Sequence, residues 1–300
     1  MLRTLLCVLF VAAMPFAAAA GERAVSIAPI GGGDPLPATL LTPGGPGRFP
    51  AIVMMHDCSG LGPRSSGAPR RWAEELVPHG YVVIIPDSFG PRGLPDGICT
   101  EEPERSRVAT ALVRAGDAYG ALAFLRTLPE VDGRRVGVMG GSHGGFSTLA
   151  SMYVPIDQNN PLGIAKRDGF AAAVALYPAC GIRFGRWVVH RENGNRGPIT
   201  GYAGVYQPIA PLLILIGEAD DWTPAEPCIR LAESSKAAGH PVEIKSIPAP
   251  ITPSTAPRAS SMSLGAITST RRPARERRRA AIRPPGRMRS FRSRASSPAT

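Results

Sequence analysis

The sequence predicts an α/β fold, a mostly parallel sheet with helices on both faces. Three observations predict it. Continuous apolar runs, such as residues 51–55 and 81–85, read as strands buried on both sides. Longer segments with helical spacing lie between such runs. Residues 105–128 are the clearest, with Val108, Leu112, Ala115, Tyr119, Leu122 and Leu125 on one stripe. Strands and helices alternate along the chain, and crossovers of that kind make a parallel sheet. The composition, 44% hydrophobic and 19% charged, excludes a chain too polar to build a core.

The elements follow in order. Met1-Leu2-Arg3 gives a positive start, residues 5–16 are apolar, and Ala18-Ala19-Ala20 precedes Gly21. This is the pattern of a secretory signal peptide cut near Ala20, too short for a stable membrane span. The expected location is therefore exported, periplasmic or secreted. Residues 24–30 and 37–41 read as edge strands around a Gly-Gly-Gly-Asp-Pro turn. The buried strand 51–55 runs into His56-Asp57-Cys58-Ser59-Gly60. A helix over 68–78, a strand over 81–85 and a Gly/Pro loop over 87–100 come next. After the long helix, strand 135–139 leads into Gly140-Gly141-Ser142-His143-Gly144 and a helix over 146–153. Strand 170–177, an irregular stretch over 181–207 able to cover a cleft, strand 211–216, helix 225–238 and strand 242–247 complete the body. The expected divisions are 1–20 as signal, 21–250 as one domain, and 251–300 as an Arg/Pro/Ser-rich tail.

Charge separates body from tail. Residues 251–300 hold twelve arginines and one acid, Glu276, so they carry the chain's whole net charge of +11. The body is neutral and gives no reason to expect a nucleic-acid partner. The runs Arg271-Arg272 and Arg277-Arg278-Arg279 could meet nucleic acid or an anionic membrane. Few aromatics and no apolar period accompany them, so the tail is expected to be disordered. Cys7 leaves with the signal. Cys58, Cys99, Cys180 and Cys228 remain, an even number in an oxidising compartment, which suggests disulfides in one of three pairings. Their spacing gives no metal pattern.

Gly140-x-Ser142-x-Gly144 between a strand and a helix is the context of a nucleophile elbow. Small neighbours let the serine adopt a strained backbone, and the helix start points N–H groups at negative charge forming near it. A serine hydroxyl needs a histidine base and an acid that orients the histidine. Asp220, in Gly217-Glu218-Ala219-Asp220-Asp221-Trp222-Thr223-Pro224, follows a buried strand and suits the acid, in preference to Asp221. The oxyanion hole needs two backbone N–H groups. His143 supplies one, and Asp57 or Cys58 the other. The His143 side chain lies beside the nucleophile and is not expected to be the base, and His56 is expected to hold its loop together.

These pieces resemble the dienelactone hydrolase family of α/β-hydrolases over about residues 37–250. The matching stretches are His56-Asp57-Cys58-Ser59-Gly60-Leu61, Asp87-Ser88-Phe89-Gly90-Pro91-Arg92-Gly93, the elbow, and Leu213 through Pro224. The resemblance implies hydrolysis of a small-molecule ester or lactone through an acyl-enzyme, with no cofactor and no metal. The family's name-giving enzymes carry cysteine at the elbow where this chain has Ser142, which points to a broader esterase.

The family closes its triad with a histidine after the last strand, within Tyr-Pro-Gly-Ala-x-His-x-Phe. Here the chain reads Ile247-Pro248-Ala249-Pro250-Ile251-Thr252, and no histidine follows His240. A synonymous spelling of residues 245–257 exists in which one G inserted after the Lys245 codon yields Lys-Val-Tyr-Pro-Gly-Ala-Tyr-His-Ser-Phe-Asp-Arg. The histidine then falls at the position of Thr252. The expectation is a frame shift after Lys245, with the triad base and the last helix both lost and the chain inactive as written. No pattern places His190 or His240 near Ser142. The rival reading is a non-catalytic protein of the same fold that binds a ligand.

Overall fold

The computed structural model describes residues 17–18, 20–99, 107–157, 159–193 and 197–248. All lie within the first of two compact units, Met1–Thr268. Most of the predicted signal segment, and the predicted tail with position 252, fall outside the described residues.

Besides a two-residue pair, Ala17–Ala18 with Gly45–Pro46, the strands among the described residues are β1 (Gly21–Ile27), β2 (Leu36–Thr42), β3 (Phe49–Met55), β4 (Val82–Pro86), β5 (Val131–Gly141), β6 (Ala172–Leu176), β7 (Val188–Arg191), β8 (Ile199–Ala203), β9 (Leu212–Gly217) and β10 (Val242–Ile247). The helices are α1 (Ala68–Leu76), α2 (Ala111–Thr127), α3 (His143–Tyr153) and α4 (Ala225–Ala237). Eight strands form one sheet in the order β10-β9-β6-β5-β3-β4-β2-β1. The run from β10 to β4 is parallel, and β2 and β1 add an antiparallel edge. The apolar runs explain the parallel part: every residue of β4 is buried, as expected when both sheet faces are covered.

The chain passes from β3 to β4 on one side, then crosses to β5 on the other. That reversal opens a crevice at the carboxyl ends of β3 and β5, where ligands bind in open α/β sheets. The His56 loop leaves β3 and Ser142 leaves β5 at this point.

Three helices cover one face. Leu122 and Leu125 of α2, Leu149 and Met152 of α3, and Leu231 of α4 join the larger core. Removing such a side chain, for example Leu149→Ala, costs about 2–5 kcal/mol. On the other face α1 is the only helix among the described residues, packing Ala73 against Met54, Val83, Ile85 and Met139. Val174, Leu213 and Leu215 point to that face and stay half-buried.

Two expectations change. The stripe along α2 is displaced: Val108 and Leu112 are exposed, at 48% and 38%. The helix begins only at Ala111, capped by Thr110, whose side chain accepts from the Val113 N–H. Its buried face includes Arg114 and Asp117 as well as Ala115, Ala118 and Leu122. The stretch 181–207, expected to be irregular, contains the antiparallel hairpin β7–β8. The segment Arg107–Thr127, which includes α2, is also long and apolar enough to cross a membrane, but it is mostly buried in the protein, as a core helix is.

Candidate active site

Ser142 sits between β5 and α3 with φ 52° and ψ −118°. A non-glycine residue rarely adopts such a backbone, at a cost of order 1–3 kcal/mol. Its surroundings hold it there. The Ser142 N–H donates to the Leu176 carbonyl at 3.0 Å, and its own carbonyl accepts from Phe146 at 2.9 Å. Glycine on both sides is a steric need. A Cβ on Gly144 would lie 2.1 Å from the Met55 carbonyl oxygen and 2.7 Å from that of His56. On Gly141 it would meet the Tyr177 hydroxyl at 2.5 Å. The elbow thus rests directly on the end of β3.

His143 opens α3, so its N–H has no partner four residues back. On the facing loop, the peptide that carries the Cys58 N–H is held through the Asp57 carbonyl, which accepts from the Gly60 N–H at 3.3 Å and from His56 Nδ1 at 2.9 Å. The Cys58–Cys99 disulfide anchors the same loop. Asp57 accepts from the Ser59 N–H at 2.8 Å and from the hydroxyls of Ser59 and Ser66. His56 is buried inside the loop. Its Nδ1 donates to the Asp57 carbonyl at 2.9 Å, and its Nε2 accepts from the Ser88 N–H at 3.1 Å. Burial, with Arg114 nearby, holds its imidazole neutral, well below the ordinary histidine range.

Asp220 lies just past β9. Its Oδ1 accepts from the N–H groups of Trp222 (3.0 Å) and Thr223 (2.9 Å), and its Oδ2 from the Thr223 hydroxyl (2.9 Å). The cap of α4 is Pro224 with no side-chain bond, so neither Asp220 nor Asp221 caps that helix. Tyr177, at φ 36°, stands between the two acidic loops beside Gly141. Burial pushes its hydroxyl up to about 12, and the charges of Asp57 and then Asp220 push the same way. Ser142 Oγ makes no hydrogen bond among the described residues.

The five histidines are all placed, and none bonds Ser142 or Asp220 among the described residues. His56 is in the loop. His143 accepts at Nδ1 from Arg114, so its proton sits on Nε2. Burial, then the Arg114 charge, brings its pKa down to about 3. His79 donates to the Glu75 carbonyl past the end of α1. His190 is exposed on β7 opposite Gly201. His240 precedes β10, at the far end of the parallel sheet from the elbow. The second disulfide joins Cys180 to Cys228, so the structure selects one of the three pairings. Among the described residues no group of three His, Cys, Asp or Glu side chains is gathered to hold a metal. A cavity of about 1020 Å³ is lined by Tyr153, at the C-terminal end of α3, and by Asp157, Arg183 and Arg186 among others. Its Phe184 packs on Phe146, one turn into α3 from the elbow, with ring centroids 5.2 Å apart.

The profile of the dienelactone hydrolase family matches residues 36–250. The chain belongs to the dienelactone hydrolase family. Membership assigns it to the carboxylic ester hydrolases. The chain is also similar to solved structures of the same fold. One is a putative dienelactone hydrolase from Klebsiella pneumoniae, 20% identical, TM-score 0.51, covering 76% of this chain and 86% of that one. Another is Thermogutta terrifontis esterase 2 phosphoramylated by tabun, 19% identical, TM-score 0.52, covering 76% and 83%. A third, a putative dipeptidyl aminopeptidase IV from Bacteroides ovatus, is 19% identical with TM-score 0.52, and the match spans 76% of this chain but 32% of that larger one. At these identities the likeness is one of fold. A comparison with curated proteins gave no match.

Sequence reading missed Arg114, the fully buried guanidinium between the two halves of the site. The signal was there: Arg114 and Asp117 lie three apart in a helix otherwise dominated by alanine, glycine and apolar residues.

Proposed function

We propose that this member of the dienelactone hydrolase family is an exported serine hydrolase of small carboxylic esters or lactones, written here without its base. The observation that carries the reading is the backbone of Ser142, strained at the switch point between β3 and β5. Ser142 Oγ attacks the carbonyl carbon, and the N–H groups of His143 and Cys58 receive the developing oxyanion. The base takes the Ser142 proton and returns it to the departing alkoxide. Water, deprotonated by the same base, then releases the acyl group and restores the hydroxyl. Asp220, fixed by three hydrogen bonds, orients the base.

In this chain no histidine follows His240, and the neutral, Arg114-bound His143 is no substitute. Ser142 therefore stays protonated, and what rate remains comes from binding and the oxyanion donors. A base lost by a frame shift after Lys245 accounts for the missing histidine. Export is supported by the two disulfides and by the apolar start of the chain.

The test is to sequence the gene across codons 240–300 and to express the chain with one base inserted after the Lys245 codon. The restored chain should hydrolyse p-nitrophenyl butyrate roughly a thousand-fold faster than the chain as written. Equal rates would refute the frame-shift reading. The lack of a histidine after His240 favours one second reading, a binding protein that keeps the fold without the chemistry. It expects equal ligand binding by the chain and its Ser142→Ala variant, with no turnover by either chain.

A further inference from the structure

The two oxyanion donors sit on separate stretches of backbone, and one side chain ties them together. Arg114 enters from α2 and is fully buried. Its Nη1 donates to His143 Nδ1 at 2.6 Å, and its Nη2 donates to the His56 carbonyl at 2.6 Å. His143 begins α3 next to Ser142, and His56 begins the loop that carries Cys58. The guanidinium lies over the Phe89 ring, 4.9 Å from its centroid. Phe89 in turn meets His56 at 4.5 Å and His143 at 5.9 Å, edge to face.

Packing alone gives no reason for a guanidinium here. Arg114 Nε is buried without a partner among the described residues, and an orphaned buried donor costs stability. The carboxylate one turn along, Asp117, is taken by Arg92 through two bonds of 2.7 Å. Arg92 also holds the Ser88 carbonyl at 2.7 Å, and the Ser88 N–H holds His56. The network therefore runs from α2 to both walls of the site and ends on them.

We infer that Arg114 is a positioning residue: its guanidinium sets the spacing of the His143 and Cys58 N–H groups, and it locks the His143 ring in the Nε2–H form so that this ring does not take the Ser142 proton. The inference rests on the serine-hydrolase reading above. It adds a residue outside the triad, acting through a main-chain carbonyl and a ring nitrogen.

The experiment follows phosphonylation of Ser142 in the full chain by p-nitrophenyl ethylphosphonate, with imidazole in solution as the external base. The wild type, Arg114→Lys and Arg114→Met are compared, each checked for its thermal transition. Arg114→Met should lower the limiting labelling rate ten-fold or more with little change in half-saturation. Arg114→Lys, which keeps the charge but reaches only one partner, should recover part of it. Nitrogen-15 spectra should show His143 held as the Nε2–H tautomer in the wild type and as a mixture of both neutral tautomers in Arg114→Met. A folded Arg114→Met labelled at the wild-type rate, or with an unaltered His143 signal, overturns the inference. Failure of both variants to fold also overturns it, because Arg114 would then be a core residue. No labelling of the wild type sinks the serine-hydrolase reading first, and the inference falls with it.

Discussion

Ser142 and Asp220 take their chemistry from where the backbone puts them. Ser142 is strained, flanked by glycines whose Cβ atoms would strike Met55 and Tyr177. Asp220 points both carboxylate oxygens at donors of its own loop, and we propose that it orients the base. In the frame-restored chain, Asp220→Asn should lower kcat by about 10³–10⁴-fold, since the base loses its tautomer partner. A loss under ten-fold in steady-state kinetics would move the role elsewhere. The buried histidines set the acid limit of the fold. The folded His143 has a pKa of about 3, against an ordinary value of 6.5, and His56 is lowered in the same direction. Between those values the unfolded chain binds protons that the folded chain refuses, so stability falls as pH drops from 6.5 toward 3. The slope approaches roughly 1.4 kcal/mol per pH unit for each such group. Urea midpoints at pH 7, 5.5 and 4.5 check this, and a flat series would contradict it. The positions of the elbow and of the Cys58 and Asp220 loops were legible, because each is a glycine-rich or acidic turn after an apolar strand. Arg114 was not, because a charge in a helix reads as solvated surface until its partners are seen.

At the scale of elements, the switch between β3 and β5 is what turns loops into a site. The strands were legible from their apolar runs, and α1, α3 and α4 from spacing and boundaries. The hairpin β7–β8 was not. Its residues are half-exposed, with Val188 and Val189 partly buried and His190 exposed, so no alternation marks it. The register of α2 was also misread at its start, because apolar Leu112 and Val113 face outward while Arg114 faces in. Tertiary partners outweigh hydropathy there. The disulfides staple two of these loops. Cys180–Cys228 spans 48 residues and joins the turn after β6 to the first turn of α4. Chain-entropy reasoning gives such a closure about 4 kcal/mol. The double variant Cys180→Ala/Cys228→Ala should lose about 2–4 kcal/mol of unfolding free energy in urea. An unchanged midpoint would show that the bridge contributes nothing to stability.

Among the described residues the two faces of the sheet are covered unequally. Three helices cover one face of the sheet, and α1 alone among the described residues covers the other, where Val174, Leu213 and Leu215 remain half-buried. Under the proposed frame shift after Lys245, the restored C-terminus would supply the histidine and add apolar cover to this face. The restored chain should therefore be more stable as well as active, with a thermal midpoint several degrees higher in calorimetry. An unchanged midpoint would separate the two effects.

We propose that Ser142 is the nucleophile of an ester hydrolase whose base has been lost. The most direct measurement is mass spectrometry of the chain, as written and frame-restored, after exposure to a fluorophosphonate. The restored chain should carry one adduct on the peptide containing Ser142 within minutes. The chain as written should acquire the same adduct slowly, faster with imidazole, and Ser142→Ala should acquire none. An adduct on another residue, or none in the restored chain, would contradict the account.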